Sequence, residues 1–245
     1  MPSETYKSIE RIDLDSPFYI TELPLGNKVY VIDNYLDSSL HHAVDNFLSQ
    51  RTSWQKHNEV QGDGGRGGLP NHQLWGASYF RGREVEDGRF IKLECESHKY
   101  GSPHLMYWFD RKIRTDFSFE WVRFQYMGTN SQTHGLDGSC HSDCSDDDNY
   151  NLSFLYYTNT FWNENWGGDL RFYDRFVPTG ARELMDRYEI GRVEFKPNRL
   201  LMFDGRLPHG AESPSKDARY IDRKSIVLRG DEVRLLDGNQ RYANN

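Results

Sequence analysis

Short apolar segments separated by turn residues dominate the second half of the chain. The segment 151–159 is rich in apolar and aromatic residues, which is the pattern of a buried strand. The pair Gly167-Gly168 allows a tight bend soon afterwards. Several short strands with turns between them predict an antiparallel jelly roll. The strands predicted after residue 118 are 119–127, 151–159, 169–173, 193–196, 199–203 and 219–229.

Apolar residues at helical spacing predict two helices in the first half of the chain. The first begins near Asp37, which can cap it, and ends near Gln50. The second begins at Ser102-Pro103 and ends near Arg114, because Ser is a good cap and Pro suits the first helical position. We therefore expect a mainly β fold with supporting helices, of the α+β class. The other elements predicted are a short helix at 181–188 and strands at 17–23, 28–34 and 75–80.

The composition is compatible with one domain. The chain has 245 residues, of which 36% are hydrophobic and 14% aromatic, enough for a substantial core. We expect a single domain over residues 1–245, in which about 17–115 supports a jelly-roll core at about 119–230. The net charge of -7 argues against a surface that binds phosphate backbones generally, although it leaves room for a local basic groove.

Three features predict a cytoplasmic protein without a membrane partner. No apolar run is long enough to span a bilayer, and residues 1–12 lack the pattern of a signal peptide. The three cysteines, Cys95, Cys140 and Cys144, form no disulfide framework, which favours a reducing compartment.

Three potential metal ligands lie in the jelly-roll region. His141 and Asp143 are two residues apart, so their side chains point the same way on an extended segment. His209 comes much later, in a segment that must fold back beside them. Two imidazoles and one carboxylate on one face of an ion leave positions open and suit non-haem Fe(II). The triad therefore predicts a site for oxygen activation.

The segment that follows His209 has the pattern of a strand that carries cations. Arg223, Ser225 and Arg229 lie on one face of it by alternation. A guanidinium beside a metal site can hold a carboxylate through two parallel hydrogen bonds. Arg223 is our first candidate for this role. Arg219 has the same parity and is the alternative.

Two other ligand sets compete with this triad. His134 and Asp137 form a second pair, but only His141 is part of a His-x-Asp motif directly before the buried strand. Cys140 and Cys144 bracket that motif and would suit zinc together with a histidine. No second Cys or His cluster with suitable spacing completes a zinc site in the sequence.

The segment 61–68 is rich in glycine and matches a dinucleotide-binding pattern formally. No apolar strand precedes it and no helix follows it, so we reject that function. We interpret the segment as a surface loop, with a substrate lid as the functional alternative.

The motifs of the second half follow one another in a characteristic order. They are His141-x-Asp143, the segments 151–159, 166–173 and 197–205, then His209 and Arg223-x-Ser225. This order resembles the Fe(II)- and 2-oxoglutarate-dependent dioxygenases, and in particular their prolyl-4-hydroxylase-like branch. The resemblance covers roughly residues 120–230 and, more loosely, 27–50. It implies a double-stranded β-helix with the metal between two sheets.

The resemblance also implies a site and a reaction. His141, Asp143 and His209 would hold Fe(II), which 2-oxoglutarate would chelate through its keto-acid end. The far carboxylate of 2-oxoglutarate would pair with Arg223, and O2 would be the second co-substrate, with ascorbate as a candidate reductant. The reaction implied is hydroxylation of a C–H bond with release of succinate and CO2. The other residues expected to bind the co-substrate are Ser225, Tyr126 and Arg229.

The substrate stays open at this point. The prolyl-4-hydroxylase-like branch favours a protein residue such as proline, and hydroxylation of a small molecule is an alternative. The six-residue spacing of Arg223 and Arg229 also resembles the demethylases of alkylation repair, whereas the acidic net charge counts against a nucleic-acid substrate. From a different class, a catalytically silent jelly-roll binding module would share the fold but would not need an intact triad.

Overall fold

Twelve strands and three α-helices make up the described part of the chain. A computed structural model describes residues 9–12, 28–50, 55–57, 74–84, 90–93, 103–117, 119–143, 152–178 and 181–235. The elements are β1 (Ile9–Ile12), β2 (Val29–Ile32), α1 (Ser38–Ser49), β3 (Gln55–His57), β4 (Leu74–Glu84), β5 (Phe90–Leu93), α2 (Pro103–Asp116), β6 (Phe119–Gln132), β7 (Leu152–Tyr157), β8 (Leu170–Tyr173), α3 (Arg182–Tyr188), β9 (Glu189–Val193), β10 (Leu200–Asp204), β11 (His209–Ala211) and β12 (Arg223–Leu235).

The strands form two sheets. The larger sheet has the order β1-β2-β10-β7-β12-β6-β4-β3, with β5 beside β4, and the smaller sheet has the order β11-β8-β9. The pair β1–β2 is parallel, whereas the other pairs of named strands in the described residues are antiparallel. The arrangement is a double-stranded β-helix, so the predicted fold class is confirmed.

Side-chain alternation along the larger sheet divides the apolar residues between two cores. On one face, Phe154 and Tyr156 of β7 pack with apolar residues of α1 and α2. On the other face, Leu155 and Tyr157 pack with β8 and β9 of the smaller sheet. All six residues of β7 are buried, as its largely apolar and aromatic sequence predicts. The result is three layers, with the helices behind the larger sheet and the smaller sheet in front.

Helix α1 has the boundaries that its sequence predicts. The Asp37 side chain accepts a hydrogen bond from the backbone N–H of Leu40 at 3.0 Å, which satisfies one of the free amides of the first turn. His41, Val44 and Leu48 form the buried stripe. Helix α2 ends two residues later than predicted, and it buries Phe109 and Ile113 as expected.

The predicted positions of some strands were wrong. The sequence favoured a strand at 193–196, but β9 ends at Val193 and the chain then leaves the sheet. The last strand was expected from Arg219, but a 3₁₀ turn at Lys216–Ala218 intervenes and β12 begins only at Arg223. The first half also contributes more than support, because β2 and β4 pair directly with β10 and β6.

Other predictions fall outside the described residues. These are the strand at 17–23 and the loop at 61–68. Of the helices that the structure describes, none has the length and apolar character needed to cross a bilayer.

Truncation of Leu48 tests the packing of α1 on the larger sheet. This side chain is fully buried, so Leu48→Ala leaves a cavity, and we expect a loss of about 2–5 kcal/mol in the free energy of unfolding. Leu184→Ala on α3 is the matched control, since Leu184 is 36% exposed, and it should cost less than about 1 kcal/mol. Denaturant unfolding of both variants measures the difference, and equal losses would contradict this packing.

Candidate active site

His141 and His209 are far apart in the sequence but pair with each other in an isolated antiparallel β-bridge. The backbone N–H of His141 donates to the carbonyl of His209, and the reverse bond also forms, both at 2.9 Å. Two residues on, the Asp143 N–H donates to the carbonyl of Gly205 at 2.7 Å. This short backbone ladder brings the metal-ligand atoms of His141, Asp143 and His209 within 4.8 Å of one another.

Backbone carbonyls fix the tautomer of both imidazoles. Nδ1 of His141 lies 2.9 Å from the carbonyl of Ser139, and Nδ1 of His209 lies 2.9 Å from the carbonyl of Leu207. Because a carbonyl can only accept, each Nδ1 carries the proton and each Nε2 presents a lone pair. Burial lowers the pKa of His209 to about 4, despite the opposing effect of Asp143, so this ring is neutral at neutral pH.

The carboxylate of Asp143 lies between the two lone pairs. Its oxygens are 3.5 Å from Nε2 of His141 and 3.6 Å from Nε2 of His209. Two ligands of one first-row ion lie at most roughly 4 Å apart when the metal–ligand bonds are about 2.1 Å. Both distances fall within that limit, so Asp143 lies close enough to each histidine to share one ion with it, as in a 2-His-1-carboxylate site.

Asp143 is almost completely buried, and its charge is balanced from the larger sheet. Arg229 Nη2 lies 2.7 Å from Asp143 Oδ1, and the Ser153 hydroxyl donates to Oδ2 at 2.5 Å. Burial alone would raise the pKa of Asp143. The Arg229 guanidinium opposes this effect, and the pKa of Asp143 is held well below its usual range. The carboxylate is therefore ionised and ready to act as a ligand.

The triad opens into a pocket between the two sheets with about 490 Å³ of empty volume, part of it open to solvent. Strand β12 supplies four alternate side chains to the lining, as its predicted parity requires. The lining residues that carry the argument are His141, Asp143, His209, Arg223, Ser225 and Arg229.

Arg223 is a buried cation in this pocket. Its side chain is 2% exposed, and its Nε donates to the carbonyl of Gly168 at 2.6 Å. The guanidinium lies over the rings of Tyr157 and Phe195, at 5.0 and 4.9 Å from their centroids. Within the described part of the chain, Nη2 of Arg223 and the Ser225 hydroxyl are buried and have no hydrogen-bond partner. Two unused donors therefore face the same pocket.

The remaining predicted site residues have different positions. Arg229 lines the pocket but pairs with Asp143, so its charge is already engaged. Arg219 is exposed and lies over the ring of Tyr220, and it is absent from the pocket lining. Arg219 was predicted to share the face of Arg223, and this was wrong because the strand begins after it. Tyr126 pairs with Arg229 in the register of β6 and β12, and its side chain lies outside the described residues.

The competing ligands are separate from the triad. His134 is exposed, and its Nδ1 contacts the carbonyl of Pro214 at 2.9 Å. The Asp137 side chain accepts a hydrogen bond from the backbone N–H of Ser213. Cys140 is buried against Tyr173 and Val177, and burial raises the pKa of its thiol to about 11. These contacts give all three residues structural roles, and Cys144 lies outside the described residues.

Comparison with known proteins identifies the family. Residues 126–228 match the family model described as the 2OG-Fe(II) oxygenase superfamily, and this segment contains the triad and Arg223. The segment 126–228 therefore belongs to this superfamily. The comparisons thus indicate a dioxygenase, an oxidoreductase of a family that uses Fe(II), 2-oxoglutarate and O2. The resemblance of the sequence to this superfamily is confirmed.

One solved structure of the superfamily shares the fold, and two prolyl hydroxylases are similar to the chain at lower TM-scores. An oxidoreductase of the 2OG-Fe(II) oxygenase family from Burkholderia pseudomallei is 13% identical, with a TM-score of 0.50 over 83% of this chain and 84% of that chain. A prolyl hydroxylase in complex with a hypoxia inducible factor oxygen degradation domain peptide fragment, from Trichoplax adhaerens, is 22% identical, with a TM-score of 0.48 over 89% and 87%. A prolyl-4-hydroxylase from Pseudomonas putida is 16% identical, with a TM-score of 0.46 over 85% and 93%. No curated protein matches the sequence.

The donor set of the pocket fits the cofactors of this superfamily. Two imidazoles and an ionised carboxylate are ligands for Fe(II). The unused donors of Arg223 and Ser225 suit an anionic group such as a carboxylate. One pocket therefore offers the triad for the ion that a keto acid chelates and the Arg223 and Ser225 donors for a second carboxylate.

Three residues near the site were not predicted from the sequence. Ser153 bonds the Asp143 carboxylate, Tyr157 lies under the Arg223 guanidinium, and Gly168 bonds Arg223. Side-chain alternation along β7 could have placed Ser153 and Tyr157 on one face. Their partners lie on other strands, which the periodicity of β7 does not reveal.

The close approach of Gly168 to Arg223 can be tested by stability. Gly168 has a φ of +87°, and a Cβ there would lie 3.2 Å from Cδ of Arg223 and 3.3 Å from a ring carbon of Trp162. Gly135 is a matched control, with a φ of +82° and nothing within 4 Å of such a Cβ. Alanine at Gly135 should cost about 1–2 kcal/mol of backbone strain, and alanine at Gly168 should cost at least roughly 1 kcal/mol more from overpacking. Equal losses in denaturant unfolding would show that Arg223 does not pack here.

Proposed function

We propose that His141, Asp143 and His209 hold Fe(II) and that Arg223 binds the far carboxylate of 2-oxoglutarate. One observation carries the proposal: a triad of two imidazoles and a carboxylate shares a pocket with a buried arginine that has an unused donor. The same pocket thus offers ligands for the ion and a counter-charge for the co-substrate.

The electrostatics of Arg223 favour an anion in the pocket. Burial lowers the pKa of this guanidinium, which shows that its charge is held at a cost. The aromatic rings of Tyr157 and Phe195 compensate for part of this cost. A carboxylate with two parallel hydrogen bonds would compensate further, and Ser225 adds a neighbouring donor.

The protein contributes position and polarity to the reaction. When bound, Fe(II) and 2-oxoglutarate supply the oxidising chemistry that hydroxylates a C–H bond with release of succinate and CO2. Ser139 and Leu207 hold the imidazoles in the tautomer that binds metal. Arg229 and Ser153 hold the Asp143 carboxylate ionised and oriented. Apolar pocket residues such as Phe203 and Val227 limit access of water.

The substrate we propose is a residue of a protein, such as proline. The support is the order of motifs in the sequence, which resembles the prolyl-4-hydroxylase-like branch. Ascorbate remains the candidate reductant. We also propose that the chain works as one domain, since β2 and β4 of the first half are hydrogen-bonded into the sheet that carries β12.

Succinate release in the presence of candidate substrates tests the substrate class. Purified Fe(II)-loaded protein would be supplied with 2-oxoglutarate and a panel of proline-containing peptides, free amino acids and methylated oligonucleotides. We expect peptides to stimulate succinate release and to gain one oxygen atom by mass spectrometry. Stimulation by amino acids or oligonucleotides alone would favour the small-molecule or demethylase alternatives. A protein that binds iron and releases no succinate with any of them would favour a silent module.

Single substitutions test the metal site. Each of His141→Ala, Asp143→Ala and His209→Ala removes one ligand, so each should lose most of the bound iron and all turnover. His134→Ala is the matched control and should keep both, because His134 is exposed and separate from the triad. Iron content after anaerobic loading and desalting provides the measurement. Loss of iron in His134→Ala with retention in His141→Ala would refute the assignment.

Substitutions of Arg223 test the carboxylate clamp. Arg223→Ala should weaken 2-oxoglutarate binding by about 2–5 kcal/mol, the usual cost of truncating one partner of a buried charge pair. Arg223→Lys should also weaken it, because an ammonium lacks the two parallel donors. Arg219→Ala is the control and should change little, since Arg219 is exposed.

Anaerobic titration of 2-oxoglutarate into each Fe(II)-loaded variant, followed by the metal-to-ligand absorption band, measures this binding. Iron affinity should be unchanged in all three variants. If Arg219→Ala loses the band while Arg223→Ala keeps it, Arg219 is the clamp and Arg223 is structural.

A further inference from the structure

The backbone on either side of Arg223 is held by one side chain. The Asn159 carboxamide donates from Nδ2 to the carbonyl of Asp222 at 2.8 Å. Its Oδ1 accepts the backbone N–H of Lys224, also at 2.8 Å. Asn159 is 2% exposed, so water does not compete with these bonds. The two peptide groups that flank Arg223 are thus bound by the two ends of a single amide.

This amide acts where the pairing of β7 and β12 ends. The last registered pair is Ser225 with Tyr157, and Thr158 adds one more backbone bond to the carbonyl of Lys224. Beyond that point the main chain of β7 no longer runs beside β12. The Asn159 side chain supplies the next donor and acceptor in place of a backbone residue, so it extends the ladder past Arg223.

We infer that Asn159 is a positioning residue for co-substrate binding, because it fixes the backbone from which Arg223 reaches the pocket. This inference rests on the proposed role of Arg223 as the carboxylate clamp. Arg223 is the first residue of β12, where Gln132 of β6 pairs with it on one side but β7 has already ended on the other, and a strand end held on one side only opens more readily. A shift of that end would misplace a guanidinium whose bidentate hydrogen bonds require fixed geometry.

Asn159 is itself fixed from the helical layer. His41 of α1 places Nε2 2.9 Å from the Asn159 carbonyl, and its Nδ1 lies 2.6 Å from the Tyr156 hydroxyl. Nearby, Asp45 of the same helix accepts from the backbone N–H and the hydroxyl of Thr160, at 3.0 and 2.8 Å. These contacts hold the segment after β7 against α1, so the Asn159 amide has a rigid support.

Ligand binding by the full chain, loaded anaerobically with Fe(II), tests the inference. Asn159→Ala should raise the Kd for 2-oxoglutarate about 10-fold, the lower end of the usual effect of removing a supporting hydrogen bond. Its affinity for Fe(II) should not change. Binding of pyruvate, a keto acid without the far carboxylate, should also stay unchanged, because only the clamp is disturbed.

Asn198→Ala is the matched control for loss of stability. Asn198 is likewise a buried asparagine. Its Oδ1 accepts the backbone N–H of Leu36 at 2.9 Å, and its Nδ2 donates to the Leu36 carbonyl at 2.8 Å. Its φ of +58° makes alanine at least as destabilising there. Asn198→Ala should therefore lower the unfolding midpoint but raise the 2-oxoglutarate Kd much less than Asn159→Ala does, because Asn198 reaches Asn159 only indirectly, through the Tyr156 hydroxyl and His41. If Asn159→Ala does not fold, the similarly sized Asn159→Asp, which lacks the donor to Asp222, takes its place in the same titrations.

The outcomes separate this inference from the assignment of the clamp. Unchanged 2-oxoglutarate binding in the Asn159 variant, together with weakened binding in Arg223→Ala, would overturn the role of Asn159 alone. Unchanged binding in Arg223→Ala would overturn the clamp. Equal loss of pyruvate and 2-oxoglutarate binding in the Asn159 variant would show an effect on the metal end of the pocket, which also contradicts the inference.

Discussion

The ionised carboxylate of Asp143 is the group on which the rest of the site depends. Its side chain is 4% exposed, and at such a position a carboxyl group favours its neutral form unless a charge compensates. The compensation comes from Arg229, nearly ninety residues later in the sequence, on the strand that also carries Arg223. The metal site can therefore form only when β12 is in register with β7, because Ser153 pairs with Arg229 in that register and also bonds Asp143.

Strand β12 gives the pocket its polarity. It pairs with β6 on one side and β7 on the other, so its register is determined twice. Its two arginines face the same pocket, but their surroundings differ. Arg229 is partly exposed and is neutralised by Asp143, whereas Arg223 is buried against aromatic rings with a donor unused. At one end of the pocket the charges of Arg229 and Asp143 neutralise each other. At the other end the buried Arg223 guanidinium can bind an anion.

Sequence reasoning was most successful where one local pattern decides the structure. The Asp37 cap and the apolar stripe of α1 depend on neighbouring residues only, and both were predicted correctly. The parity of Arg223, Ser225 and Arg229 depends only on the strand being extended, and all three line the pocket. The start of that strand was missed, because nothing local distinguishes Arg219 in a turn from Arg219 in a strand. The 3₁₀ turn before it is decided by tertiary packing, in which Ala218 is buried.

The roles that sequence could not assign belong to residues whose partners are far away in the chain. Asn159 ends an apolar segment, and by itself it predicts a turn. Its function as a support follows only from β12, 63 and 65 residues later, and from α1, 118 residues earlier. Helix α1 lies behind the larger sheet, yet it reaches the co-substrate end through this amide. Lys224, the neighbour of Arg223, forms a second link to the helix through Asp45, at 2.5 Å. The helical layer and the carboxylate end of the pocket are therefore one hydrogen-bonded unit, whereas the metal end is held by the backbone pairs of the His141–Asp143 segment and by the side chains that bind Asp143. Because separate contacts support the two ends, a substitution behind the sheet can weaken 2-oxoglutarate binding and leave the ligands of the ion in place.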